Sequence, residues 1–195
     1  VKLPIRIYAE PQWRHQGQLP PHAIAPETAC WLFDPASLTA RVIAACDRQF
    51  RVEVIAQRWE VPYENEARRL RIRRKRLALI RQVFLYCEET PWVYARTVIP
   101  RRTLRGREKF LARLGDKPLG AVLFADPSMR RDPLEVAQLM PGQRLYQQAT
   151  ARLPEVATSI WGRRSVFYLR NKPLLVNEVF LPSIGQCPQA SSSIV

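Results

Sequence analysis

From Phe50 onward apolar and polar residues alternate. Phe50, Val52, Val54 and Ala56 interleave with Arg51, Glu53 and Gln57, which predicts a half-buried strand over residues 50–61. Upstream, Ser37 precedes Leu38, Val42 and Ile43, spaced along one side of a helix over 38–47 with the serine as its N-cap. Two further strands are expected at 77–87 and 92–99, joined through Glu88-Glu89-Thr90-Pro91 as a hairpin. Residues 102–114 have helical spacing and stop at Gly115, and a short apolar helix over 119–124 follows Pro118. Strands are expected again at 133–139, 143–151, 165–169 and 174–181, the last two turning at Asn171-Lys172. Hairpin-length links cannot make parallel crossovers, so the fold class is α+β with an antiparallel meander. Pro4, Pro11, Pro20 and Pro21 make residues 1–25 an irregular arm, 26–184 read as one domain, and 185–195 as a flexible tail.

Composition narrows the chemistry. With 195 residues, 47% apolar and 25% charged, the chain has enough core-forming residues for one domain. No apolar run is long enough to span a bilayer, and the N-terminus lacks a secretory core, so a cytoplasmic protein is expected. Cys30, Cys46, Cys87 and Cys187 contain no C-x-x-C pair and read as free buried thiols. His15 and His22 are the only histidines, both in the arm, which leaves a zinc site or a Ser-His-Asp triad without footing. None of the seven glycines forms a nucleotide-binding or nucleophile-elbow motif.

What remains is arginine. The net charge is +14, and residues 67–131 contribute +13 of it. The densest run is Arg68-Arg69-Leu70-Arg71-Ile72-Arg73-Arg74-Lys75-Arg76. Such a run suits nucleic acid, an acidic membrane surface or a solvated face. Without interleaved aromatics or a recognisable motif, nucleic acid stands behind a small-molecule reading.

Side chains alternate faces along a strand, so parity shows which residues share one. Arg81 shares parity with Leu77, Leu79, Val83 and Leu85. A guanidinium in that company needs an anion, because an uncompensated buried charge costs several kcal/mol or more. Arg96 lies on the next strand. A turn centred on Glu88-Glu89 would set it directly opposite Arg81, and one centred on Glu89-Thr90 a diagonal of about 7–8 Å away. An odd loop would separate them. Glu178 keeps parity with Leu174, Val176 and Phe180. The trio is either a buried ion-pair network or a pocket whose arginines clamp a carboxylate while the glutamate meets a hydroxyl or moves a proton.

At these residues the sequence resembles the chorismate pyruvate-lyases. The resemblance is carried by Trp31-Leu32, Ser37-Leu38-Thr39, Ile80-Arg81-Gln82-Val83-Phe84-Leu85-Tyr86-Cys87 and Pro91-Trp92-Val93-Tyr94-Ala95-Arg96-Thr97-Val98-Ile99-Pro100. It continues through Leu114-Gly115-Asp116-Lys117-Pro118-Leu119-Gly120, Trp161-Gly162-Arg163-Arg164-Ser165 and 172–182. It implies a six-stranded antiparallel sheet with helical flaps over an enclosed pocket. The implied reaction converts chorismate to 4-hydroxybenzoate and pyruvate for ubiquinone biosynthesis, with no metal or organic cofactor. Arg81 then matches the arginine that holds the ring carboxylate, and Glu178 the glutamate at the hydroxyl end. Arg96 matches a second catalytic arginine, for the enolpyruvyl carboxylate, while Leu38 and Leu119 match main-chain contacts to the ligand. The stretch 140–160 is longer than the family leads one to expect and is read as extending a hairpin or flap, while the basic run and the Pro-rich arm are not family features.

A monomer is expected, with chorismate and its products as small-molecule partners. The rival reading of the same fold is a small-acid sensor like the effector domains of some bacterial transcription regulators, but no helix-turn-helix pattern accompanies it here. Trp92 and Trp161 are read as core aromatics, and Arg163 and Arg164 as surface or ion-pair residues.

Overall fold

The computed structural model describes residues 9–20, 22–155 and 157–185. Most of the expected tail, 186–195, and part of the N-terminal arm lie outside them.

Eight strands form a single antiparallel sheet: β1 (Arg14–His15), β2 (Phe50–Glu60), β3 (Ala78–Cys87), β4 (Thr90–Pro100), β5 (Arg130–Arg131), β6 (Glu135–Leu139), β7 (Ile160–Leu169) and β8 (Lys172–Phe180). Their order is β1-β6-β7-β8-β4-β3-β2, with β5 also on β7. The α+β class holds, with eight strands instead of six. The two additional strands, β1 and β5, have two residues each and are too short to leave a periodic signature. β5 and β6 follow one side of β7, interrupted around Pro133, which has no N–H to give to a ladder.

Helices cover both faces. On one side lie α1 (Pro26–Leu32), α2 (Leu38–Ala45) and α4 (Leu119–Ala125); on the other lie α3 (Glu64–Arg69) and α5 (Arg144–Thr150). The Ser37 hydroxyl accepts from the Ala40 amide, as an N-cap should. Leu38 and Val42 of α2 are buried, whereas Ile43 is exposed. With both faces covered, β3 is buried along its whole length.

Three further expectations are corrected. The strand predicted at 143–151 is α5, because Leu145, Tyr146 and Ala149 share a helical face that packs on Phe84 and Tyr94. The helix predicted at 102–114 is a 3-10 segment over Gly106–Arg113. Cys46 and Cys87 are not free thiols: they form a disulfide with a Cα–Cα distance of 5.6 Å, and no described cysteine is free. The fold brings the C-cap of α2 to the end of β3, a tertiary approach that a spacing of 41 residues does not announce.

Candidate active site

The face under α2 and α4 covers a pocket lined from both helices and from the sheet. Its floor is set by register. Arg81 lies opposite Thr97, which lies opposite Val176; Val83, Ala95, Glu178 and Arg163 form the adjacent row. Arg81 and Glu178 are therefore two strands and one pleat apart, about 12 Å between Cα positions. Leu38 and Leu119, the first residues of α2 and α4, line the roof, and Val83, Leu85, Phe124, Phe167 and Val176 give it apolar walls.

Arg81 is 2% exposed, yet no described carboxylate lies within salt-bridge distance of it. Nη1 donates to Gln57 Oε1 at 3.3 Å and Nη2 to the Lys117 carbonyl at 3.3 Å, two long bonds to neutral acceptors. Burial holds its pKa below the usual arginine value, with Asp116 pulling weakly the other way. The fold thus maintains a desolvated cation without neutralising it.

Glu178 is held instead by Arg163, whose Nε donates to Oε2 at 2.6 Å. Nη1 of Arg163 donates to the carbonyls of Trp31 and Asp34 at 2.9 and 2.8 Å. This arginine ties the end of α1 to β8 and fixes the carboxylate that faces the pocket. It is an ion-pair residue, as read from the sequence, but a buried one. Its neighbour Arg164 points to the opposite face and pairs with Glu135.

A third guanidinium, Arg131, enters from β5, opposite Phe167. Nε donates to Ser165 Oγ at 3.0 Å and Nη1 to the Pro35 carbonyl at 2.9 Å, and the group packs over the Phe167 ring. It too has no described carboxylate within salt-bridge distance. Burial pulls its pKa down to about 10, against the pull of Glu178, so it stays charged at neutral pH. Sequence reasoning missed it because a two-residue strand before Pro133 has no periodicity.

Arg96 is not in this pocket. The turn is Glu88-Glu89, with Cys87 opposite Thr90, but a bulge between Leu85 and Tyr86 shifts the register by one residue. Arg81 then faces Thr97, and Arg96 falls on the other side of the sheet. There it is fully buried, donates to both oxygens of Glu66 at 2.9 and 3.2 Å and lies over the Tyr63 ring. Burial alone would lower its pKa, but the Glu66 carboxylate more than offsets this and leaves it raised. Asn177 also donates to Glu66, at 3.1 Å.

The pocket lining thus carries Arg81, Arg131 and Arg163 against one carboxylate, Glu178, a formal charge of +2. That is the charge a dianion neutralises.

The profile of the chorismate lyase family matches residues 9–187. The chain belongs to the chorismate lyase family. Proteins named probable chorismate pyruvate-lyase are its relatives: that of Aromatoleum aromaticum is 46% identical over 163 residues, covering 81% of this chain and 86% of that protein. The Nitrosospira multiformis protein is 40% identical over 164 residues (84% and 91%), and that of Methylococcus capsulatus 40% over 161 residues (83% and 98%). Among solved structures, the fold is similar to the C-terminal domain of the histidine utilization repressor from Pseudomonas syringae (TM-score 0.54, 10% identity, 73% of this chain and 98% of that one). A GntR-family transcriptional regulator from Bacillus cereus is similar at TM-score 0.52 and 12% identity, over 72% and 97% of the two chains. At such identities the likeness concerns the fold.

The roof of this chorismate lyase pocket depends on one close contact. A Cβ on Gly120 would lie 2.9 Å from Thr39 Oγ1 and 3.3 Å from Ser37 Oγ, so glycine lets α4 rest against the start of α2. Both contacting oxygens are on short side chains with little freedom to retreat. Gly120→Ala is expected to cost about 1–3 kcal/mol, read as a lower urea midpoint, and to raise KM for the pocket's ligand as the roof lifts.

Proposed function

We propose that this pocket binds chorismate and releases 4-hydroxybenzoate and pyruvate, supplying the aromatic precursor of ubiquinone, in a cytoplasmic monomer. The observation that carries the reading is Arg81, a buried cation with no described carboxylate within salt-bridge distance, at one end of an apolar slot that has a fixed carboxylate at the other. Family membership supports the same substrate.

In the reaction, a proton leaves the ring carbon that bears the hydroxyl, the ether C–O bond to the enolpyruvyl group breaks, and the proton ends in the methyl group of pyruvate. The ring becomes aromatic, so the residues need to orient the substrate and balance charge rather than drive an uphill step. Arg81 anchors the ring carboxylate through its guanidinium fork. Glu178, held by Arg163, faces the hydroxyl end, where it orients that group and assists the proton's departure. The backbone N–H groups of Leu38 and Leu119, in the first turns of their helices and so without intrahelical acceptors, meet the ligand from above in this reading. Arg131 takes the enolpyruvyl carboxylate, the role first expected of Arg96.

The product lacks that second carboxylate, which gives Arg131 a distinctive signature. Arg131→Met is expected to raise KM for chorismate by roughly 10- to 100-fold, the worth of a charged hydrogen bond. Its affinity for 4-hydroxybenzoate, measured by calorimetry, should stay within a few-fold of wild type. The function itself is tested by incubating the protein with chorismate in EDTA and separating products by chromatography. Equimolar 4-hydroxybenzoate and pyruvate is the expected result. Binding of chorismate without products would make the protein a sensor.

A further inference from the structure

The basic run has no part in the pocket. Arg68 and Arg69 end α3, and the rest of the run forms the loop to β3, at the end of the sheet where β2 finishes, β3 begins and β4 finishes; Glu60, Ala78 and Pro100 lie side by side there. Beyond them opens a groove of about 1420 Å³, lined by the cations Arg71, Arg73, Lys75, Arg76, Arg101 and Arg102. No carboxylate lines it, and none of the six has a described carboxylate within salt-bridge distance. The loop is shaped rather than loose. Arg71 and Lys75 both take left-handed backbone angles, φ 51° and 61°, which non-glycine residues adopt only when the surroundings hold them. Arg102 fixes one wall by donating to the carbonyls of Leu70 and Arg71.

Apolar side chains stand among these charges. Trp59 and Leu77 line the groove at 45% and 50% exposed, and Val61, next along from the end of β2, is 50% exposed. Cations ringing an exposed tryptophan and leucine are the combination that seats a protein at a lipid headgroup layer, with charge meeting anionic lipids and the indole entering the interface. A single-stranded nucleic acid would call for several stacking aromatics along the groove, and Trp59 is the only one lining it. No described helix is long and apolar enough to cross a membrane.

The geometry points to a peripheral membrane-docking face: this end of the sheet rests on an anionic lipid surface through the six cations, with Trp59 and Leu77 dipping into the headgroup region. The active-site pocket is lined by none of these residues, so docking and turnover are separable.

The test is co-sedimentation with phosphatidylcholine vesicles, with and without phosphatidylglycerol. The wild-type chain is expected to bind only the anionic vesicles, and less as salt is raised. Each cation removed should weaken partitioning by about fivefold. The triple variant Arg73→Glu, Lys75→Glu, Arg76→Glu should therefore stay in the supernatant while turning over chorismate at the wild-type rate, which also reports that it is folded. Trp59→Ser should lower binding to the anionic vesicles with the salt dependence unchanged. The proposal is overturned by equal binding to neutral vesicles, by a triple variant that sediments like wild type, or by an oligonucleotide that displaces the protein from the anionic vesicles at equimolar phosphate.

Discussion

Replacing Arg81 with methionine is expected to abolish most turnover while leaving the protein at least as stable. The two consequences have one cause. The guanidinium is 2% exposed, bonded only to Gln57 and a backbone carbonyl, and its charged form is disfavoured by burial. The unliganded fold bears the desolvation of a cation and receives no ion pair in return. Methionine fills similar space without the charge, so the melting temperature should be no lower than that of wild type. With ligand bound the balance inverts, because the substrate carboxylate would then be buried unpaired. Losing one partner of such a pair costs about 2–5 kcal/mol, so kcat/KM should fall by roughly thirtyfold to a few thousandfold. A buried arginine serving only the fold would behave in the opposite way: stability would drop, and the folded fraction would keep its activity.

Glu66→Ala is expected to give that opposite pattern. The Glu66 carboxylate receives both bonds from Arg96, one from Asn177 and one from the Tyr63 amide at the start of α3. Truncation strands a fully buried guanidinium on the face remote from the pocket. The expected cost is about 3–5 kcal/mol, a fall in melting temperature of about 10 °C for a chain of this size. The double variant Glu66→Ala, Arg96→Met removes the stranded charge and should recover part of the loss. In both, kcat/KM per folded molecule should stay near wild type, measured below the transition. A selective loss of kcat with stability intact would return Arg96 to the catalytic machinery.

These two arginines show what was legible in the sequence. Parity placed Arg81 among apolar residues on a covered face and Glu178 on a face shared with Val176, and both line the pocket because parity is local and survives within each strand. Relating β3 to β4 requires the whole path around the hairpin. The two-residue turn itself fits the even case, but one bulge residue near Trp92 reverses which face Arg96 takes, and nothing in Pro91-Trp92-Val93 announces it. Long elements are legible nearly to their ends, β2 from its alternation and β8 from an apolar run after a turn. α5 reads as a strand from sequence because seven residues fit either period over so short a span, and burial against Phe84 and Tyr94 decides between them. Arg163 faces Glu178 because the hairpin turns at Arg170-Asn171, one residue earlier than the expected Asn171-Lys172, which would have set Ser165 there. Arg131 leaves no signal in the sequence, since its place depends on a two-residue pairing with β7.

The central claim is that one aromatic ring is held at both ends, its carboxylate by Arg81 and its hydroxyl by Glu178. The most direct measurement is calorimetric binding of 4-hydroxybenzoate and benzoate to the wild-type chain, Arg81→Met and Glu178→Gln. Wild type should prefer 4-hydroxybenzoate by about tenfold, the worth of a hydrogen bond to a charged group. Glu178→Gln should shrink that preference while still binding benzoate, and Arg81→Met should bind neither acid measurably. Equal affinity of wild type for the two acids, or undiminished binding by Arg81→Met, would contradict the account.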